Sequence, residues 1–141
     1  MFILDIEKTF TDEFISRYKI NWHHISTYQK LSEPFIEKHQ DKINFVIISY
    51  HQKLSESFIE KHQDELDWMI ISYHQKLSEQ FMDKHKDELD WRNILKNQKL
   101  SDSFIAKHKN KLDWYNILRY QSISELFIQK HLKEIKCLFS I

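Results

Sequence analysis

The chain contains no glycine, one proline (Pro34) and one cysteine (Cys137) in 141 residues. Without glycine, tight β-hairpin turns and glycine-rich phosphate-cradling loops have nothing to be built from. An all-helical chain follows. The lone cysteine has no internal disulfide partner, and beside Leu138 and Phe139 it reads as a small hydrophobe. Net charge is also missing: 21 basic residues face 21 acidic ones. No global field therefore draws the chain to nucleic acid or to anionic lipid. The longest apolar run begins at Phe45 and stops at Ser49, far short of the roughly 20 residues that span a bilayer. Met1-Phe2-Ile3-Leu4 meets Asp5 with no basic leader and no long apolar stretch, which does not read as a secretory signal. An intracellular, cytoplasmic protein with no membrane partner is expected.

What is present is enough to fold. Apolar residues at 41% supply a continuous core, and charged residues at 30% keep the outside wetted, so this is not a disordered tail. Leu31, Leu54, Leu77, Leu100 and Ile123 recur every 23 residues. The register fixes full repeats at 31–53, 54–76, 77–99 and 100–122. Residues 1–30 form an N-terminal cap and a degenerate repeat, and 123–141 a truncated C-terminal capping repeat, six units in all. Terminal copies diverge because one of their faces has no neighbour.

Within the copy LSESFIEKHQDELDWMIISYHQK (54–76), Ser55 is placed as an N-cap after Leu54, which is positioned to staple onto Ile59. Phe58, Ile59, His62 and Leu66 fall in one sector at about 100° per residue, predicting a first helix with an inward stripe. Asp67, between Leu66 and Trp68, is a second cap. It opens a second helix with Trp68, Ile71 and Gln75 on one face. Each repeat is thus a hairpin of two helices of about two to three turns, too short to stand alone. The fold class is all-α, an α-solenoid of about six two-helix hairpins stabilised by stacking. Trp68 is expected to be a central anchor whose truncation costs about 3–5 kcal/mol.

The phrase LSExFIEKHxDxLDW at Leu54 to Trp68, with the following IxxYQK-like segment at Ile117 to Gln121, resembles the uncharacterised 23-residue helical tandem repeats of giant DNA viruses and protists. The resemblance covers nearly the whole chain. It implies an all-helical viral repeat protein, in the cytoplasm of an infected host cell, and carries no established activity. Asn44-Phe45 and Lys136-Cys137 depart from its Asp-Trp, which weakens the second helix of the last copy.

His39, His62, His85, His108 and His131 recur once per repeat and suggest a metal. Geometry opposes it. Ligands of one zinc ion lie about 2.1 Å from it, whereas equivalent atoms of stacked repeats lie roughly 10 Å apart. The five are read as a structural ladder of semi-buried imidazoles, with pH sensing as the alternative. The adjacent pair His23-His24 points about 100° apart on a helix and does not chelate. Gln29, Gln52, Gln75, Gln98 and Gln121 share another repeat position, where buried amides would satisfy free backbone groups at the turn between repeats. Paired acids such as Asp64 and Asp67 fall at turns and caps. No nucleophile with an oriented base stands out, so neither catalysis nor a cofactor is expected.

Function, if written anywhere, lies in positions that vary. One series on the second helices reads Val46, Met69, Arg92, Tyr115 and the other Tyr50, Tyr73, Lys96, Arg119, two adjacent rows to one side of the apolar stripe. They are apolar and aromatic in the first half and basic in the second, and Tyr and Arg are enriched in interface hot spots. Repeat 54–76 carries net −3 and repeat 100–122 net +2. The rows predict a scaffold for an extended or helical segment of another protein. Homo-oligomerisation through Ile135, Leu138, Phe139 and Ile141 is the alternative. Reading of RNA bases by the repeats ranks below both.

Overall fold

The computed structural model describes residues 9–137, which contain twelve helices and no strand. They are α1 (Asp12–Arg17), α2 (Trp22–Tyr28), α3 (Glu33–Lys38), α4 (Phe45–His51), α5 (Glu56–Lys61), α6 (Trp68–His74), α7 (Glu79–Lys84), α8 (Trp91–Asn97), α9 (Asp102–His108), α10 (Trp114–Tyr120), α11 (Glu125–Lys130) and α12 (Leu132–Lys136). The chain forms two compact units, Met1–Ile71 and Ser72–Ile141, the division falling inside α6. Each unit repeats the same helical hairpin in the α-solenoid manner. In the first, α2 packs on α4; in the second, α8 packs on α10 and α11 on α12.

Each of the helices α1 to α11 begins where a side chain replaces the missing turn of backbone acceptors; α12 alone of the described helices has no such cap. The first helices of the repeats open on serine: the Phe58, Phe81 and Phe104 N–H groups donate to the hydroxyls of Ser55, Ser78 and Ser101 at 3.2, 3.1 and 3.2 Å. The second helices open on Asn or Asp, with Asn44 accepting from Val46 at 2.9 Å and Asp90 from Asn93 at 2.9 Å. A further clamp joins neighbours. Glu33 accepts from both the N–H and the hydroxyl of Ser55, and Glu79 does the same for Ser101. Asp102 accepts from the Ser124 hydroxyl in the same way. The acid that favours its own helix's N-terminus thus also fixes the cap of the next repeat.

The core is a spine of fully buried aliphatic side chains, one from each of α3 to α10. Ile36, Ile48, Ile59 and Ile71 are 0% exposed in the first unit, and Met82, Ile94, Ile105 and Ile117 are 0% exposed in the second. Each stabilises the fold by roughly 1.5–3 kcal/mol relative to an exposed position. Leu31, Leu54, Leu77 and Leu100, which precede the serine caps, are buried beside it.

Four expectations are corrected. The first helices are shorter than two to three turns: α5 and α7 have six residues each. His62 ends α5, and its carbonyl then accepts from Glu65 and Leu66 N–H at 2.9 and 3.2 Å, so Leu66 reaches the core from a compact turn that preserves helical spacing without helix. Trp68 is half-buried and is not the central anchor; the fully buried aliphatic positions of its repeat belong to Ile59 and Ile71. In the last repeat, α12 occupies the register of the turn, and Ile135 is buried there like Leu112. Ile135 is therefore unavailable for docking a second copy. Leu138, Phe139 and Ile141 lie outside the described residues, as does the Met1–Asp5 segment. Cys137 is exposed, against its reading as a packed hydrophobe.

Ile59→Ala is expected to destabilise the protein by about 2–5 kcal/mol, while Val46→Ala stays within about 0.5 kcal/mol. Urea denaturation of the two variants checks this; comparable losses would refute the spine.

Candidate functional site

The repeated polar residues serve the backbone. Among the described residues no backbone φ is positive, so no helix ends in the left-handed turn that glycine normally supplies. The second helices instead stop on glutamine in extended conformation, at φ/ψ −103°/151° for Gln52 and −109°/146° for Gln121. The exposed carbonyls are then capped by the glutamine one repeat later. Gln52 Nε2 donates to the Ser26 and Gln29 carbonyls, both at 2.8 Å, while its Oε1 accepts from Leu31 N–H at 3.0 Å. Gln121 makes the same three bonds, to the Leu95 and Gln98 carbonyls and from Leu100 N–H, at 2.6, 2.8 and 3.0 Å. Gln98 donates to the Gln75 carbonyl and accepts from Leu77 N–H. Gln75 is itself buried.

The histidines are lodged between aromatic rings. His39 lies 4.7 Å from Phe35 and 5.0 Å from Trp22, centroid to centroid, and His62 lies 4.5 Å from Phe58 and 4.9 Å from Phe45. In the second unit His108 sits between Phe104 and Trp91, and His131 between Phe127 and Trp114. His85 stacks on Phe81 at 4.5 Å. The half-buried Trp22, Trp91 and Trp114 are thus lids on the imidazoles. Carboxylates meet the ring edges: His62 Nδ1 is 3.0 Å from Glu65, His108 Nε2 is 3.0 Å from Asp83, and His131 Nδ1 is 3.4 Å from Glu134. Asp83 also pairs with Lys107 at 2.8 Å, and Glu37 with Lys61 at 2.7 Å. These lysines hold both carboxyls below their ordinary values. Among the described residues no group of three His, Cys, Asp or Glu side chains is placed to hold a metal ion, and no helix is long and apolar enough to cross a membrane.

The varying positions all face solvent. In the first unit Val46, Tyr50 and Met69 are 46%, 53% and 57% exposed. A separate cleft of about 370 Å³ there is lined by Tyr28, Lys30, His51 and Lys53, among others, and takes in none of the three. In the second unit Tyr73, Arg92, Lys96, Tyr115 and Arg119 are exposed. Packing of α8 on α10 brings four of these together. Arg92, Lys96 and Tyr115 line a cleft of about 380 Å³ with Asp113, Asn116 and Tyr120. Arg119 donates to the Tyr115 hydroxyl at 3.0 Å, and its guanidinium carbon lies 5.4 Å from the Tyr120 ring centre. Lys96 Nζ lies 5.9 Å from the same ring. Tyr73 meets the His74 ring at a tilt, centroids 4.6 Å apart, and does not line the cleft.

Tyr120, Asn116 and Asp113 are contributors that the two rows did not single out. Tyr120 belongs to a third variable row, Tyr28, His51, His74, Asn97, Tyr120, whose 23-residue register was there to be read. Ser26, Ser49 and Ser72, each almost completely buried, form an unread ladder too. Ser49 donates to the Phe45 carbonyl at 2.7 Å, and Ser72 accepts from Asp90 N–H at 3.0 Å. No protein-family model, curated protein or solved structure matches the chain.

Gln52→Met should cost at least about 1–3 kcal/mol, since it strands buried backbone groups, while Lys53→Met is near neutral; thermal melts of both variants test the glutamine's role. His39 has a second, pH-linked signature. Burial, then the Lys38 and Lys42 charges, push it below its ordinary 6.5. The unfolded chain therefore takes up this proton first, and stability falls as pH drops below about 6.5. The Glu37 and Asp83 contributions persist until pH falls below the ordinary 4.5 and 3.8. Urea midpoints between pH 7.5 and 5 should decline in the wild type and less steeply in His39→Phe; equal slopes would exclude His39 as a source.

Proposed function

We propose that the protein is a non-catalytic helical-repeat scaffold that binds a segment of another protein through the variable side chains of its second helices. One observation carries this reading: the aliphatic, histidine and glutamine positions that recur from repeat to repeat are mostly buried and the recurring serine caps are bonded, whereas all eight residues of the two varying rows are exposed. Tyrosine and arginine, exposed here at spaced positions, are among the residue types that anchor interfaces. Each unit carries its own set: Val46, Tyr50 and Met69 in the first, and Tyr73, Arg92, Lys96, Tyr115 and Arg119 in the second. The viral, cytoplasmic setting implied by the repeat resemblance fits such a binding role and belongs to the same proposal.

A second reading, self-assembly, draws on Leu126 and Leu132, which are 61% and 41% exposed on α11 and α12. Buried Ile135 no longer contributes to it. Reading of RNA bases has less behind it, because basic side chains of the second unit are neutralised: Lys107 pairs with Asp83 and Lys111 with Asp87.

Panning a random peptide display library on the wild-type chain should enrich sequences that a Tyr50→Ala, Tyr73→Ala, Arg92→Ala, Arg119→Ala variant fails to retain. Equal retention by a variant with unchanged circular dichroism would remove this surface as the binding face. Light scattering of Leu126→Glu, Leu132→Glu against wild type addresses self-assembly, which predicts loss of a dimer.

A further inference from the structure

The geometry points to the α8–α10 cleft as a docking site for an acidic peptide segment of a partner protein, bound in extended conformation with its carboxylates on Arg92 and Lys96. The inference rests on the binding-module reading above and names its ligand chemistry in the second unit.

Charge is the first argument. Within this unit three lysines of repeat 100–122 have carboxylate partners: Lys107 with Asp83, Lys111 with Asp87 and Lys109 with Glu134. Arg92, Lys96 and Arg119 have none among the described residues, although all three are exposed and lie around one cleft. The single carboxylate in the lining, Asp113, is engaged by its own helix, accepting from Asn116 N–H at 2.9 Å and from Asn116 Nδ2. The cleft therefore carries uncompensated positive charge in a chain whose total is zero. Unpaired like charges this close repel one another, a cost that an anionic ligand removes.

Spacing is the second. Arg92 and Lys96 stand four residues apart on α8, one turn or about 5–6 Å along the helix. Alternate side chains of an extended peptide lie about 6.6–6.8 Å apart on one face. Acidic residues at i and i+2 of such a peptide match the two cations with little adjustment. The opposite wall supplies what the intervening backbone needs. Tyr115, whose hydroxyl oxygen already accepts from Arg119, retains its own O–H to donate, and the Tyr120 face offers an apolar contact between Lys96 and Arg119.

The same features disfavour a polynucleotide. Asp113 lies in the lining of the cleft, and Lys107 and Lys111 are neutralised by Asp83 and Asp87, which weakens the local field that a phosphate backbone would follow.

The test is fluorescence anisotropy on the full chain with three labelled probes: a ten-residue peptide alternating Glu and Ala, its Gln–Ala counterpart, and a ten-nucleotide oligouridylate. The Glu peptide should bind, the Gln peptide should not, and Arg92→Ala or Lys96→Ala should weaken binding roughly three- to tenfold each. Lys107→Ala, which removes a paired cation, should leave it unchanged. Tighter binding of the oligonucleotide, equal binding of the Glu and Gln peptides, or an equal loss with Lys107→Ala would each overturn the proposal. So would Lys96-dependent dimerisation by light scattering without peptide binding, which makes a second copy the occupant. Enrichment of non-acidic peptides in the library experiment would remove this inference and leave the binding-module reading standing.

Discussion

A chain without glycine cannot end its helices in the usual way, and the glutamine at each repeat boundary is the answer to that constraint. A glutamine side chain carries one acceptor and two donors at the end of a flexible stem, and Gln52 and Gln121 use all three on the backbone of the preceding repeat. The bonds are buried or nearly so, where an unpaired carbonyl or N–H is most expensive. A local defect is thereby converted into a bond between neighbours. No repeat can complete its own helix end, and this ties local structure to stacking more tightly than hydrophobic contact alone would.

The other repeated positions follow the same logic. Ser caps bond to the first-turn acid of the previous repeat, and lysine and histidine reach back to an acid one repeat earlier, as Lys107 and His108 do to Asp83. The aliphatic spine then needs only one fully buried side chain from each of α3 to α10 to hold six- and seven-residue helices that would melt in isolation. With so much of each repeat committed to its neighbours, the outward face of the second helices is left unconstrained. Substitution there costs little stability, and that freedom is what permits one face to be aromatic in one region and basic in another.

Much of this was legible in the residues. Absence of glycine, the 23-residue period and the paired cap signals specify short helices in hairpins, and the register separates the committed positions from the free ones. The amide at Gln52 has donors and an acceptor to satisfy wherever it is buried, so its backbone role follows from chemistry. The first-helix boundary did not follow, because Leu66 keeps the same angular position whether reached by helix or by a tight turn, and apolar periodicity does not separate the two. Trp68 misled for a related reason: indole size suggests an anchor, yet a side chain that large is rarely buried completely, and Trp22, Trp91 and Trp114 lie half-buried against histidines.

Sequence by itself determined the class of fold, the repeat register, the helix caps and which side chains lie outside, since each depends on local chemistry or on a period that the chain repeats several times. Only the tertiary structure decided what those outer side chains form together. Arg92 and Lys96 on α8 meet Tyr115 and Tyr120 on α10 because two helices more than a dozen residues apart pack side by side. Whether the cations there find a carboxylate partner depends on distances that no spacing in the chain encodes.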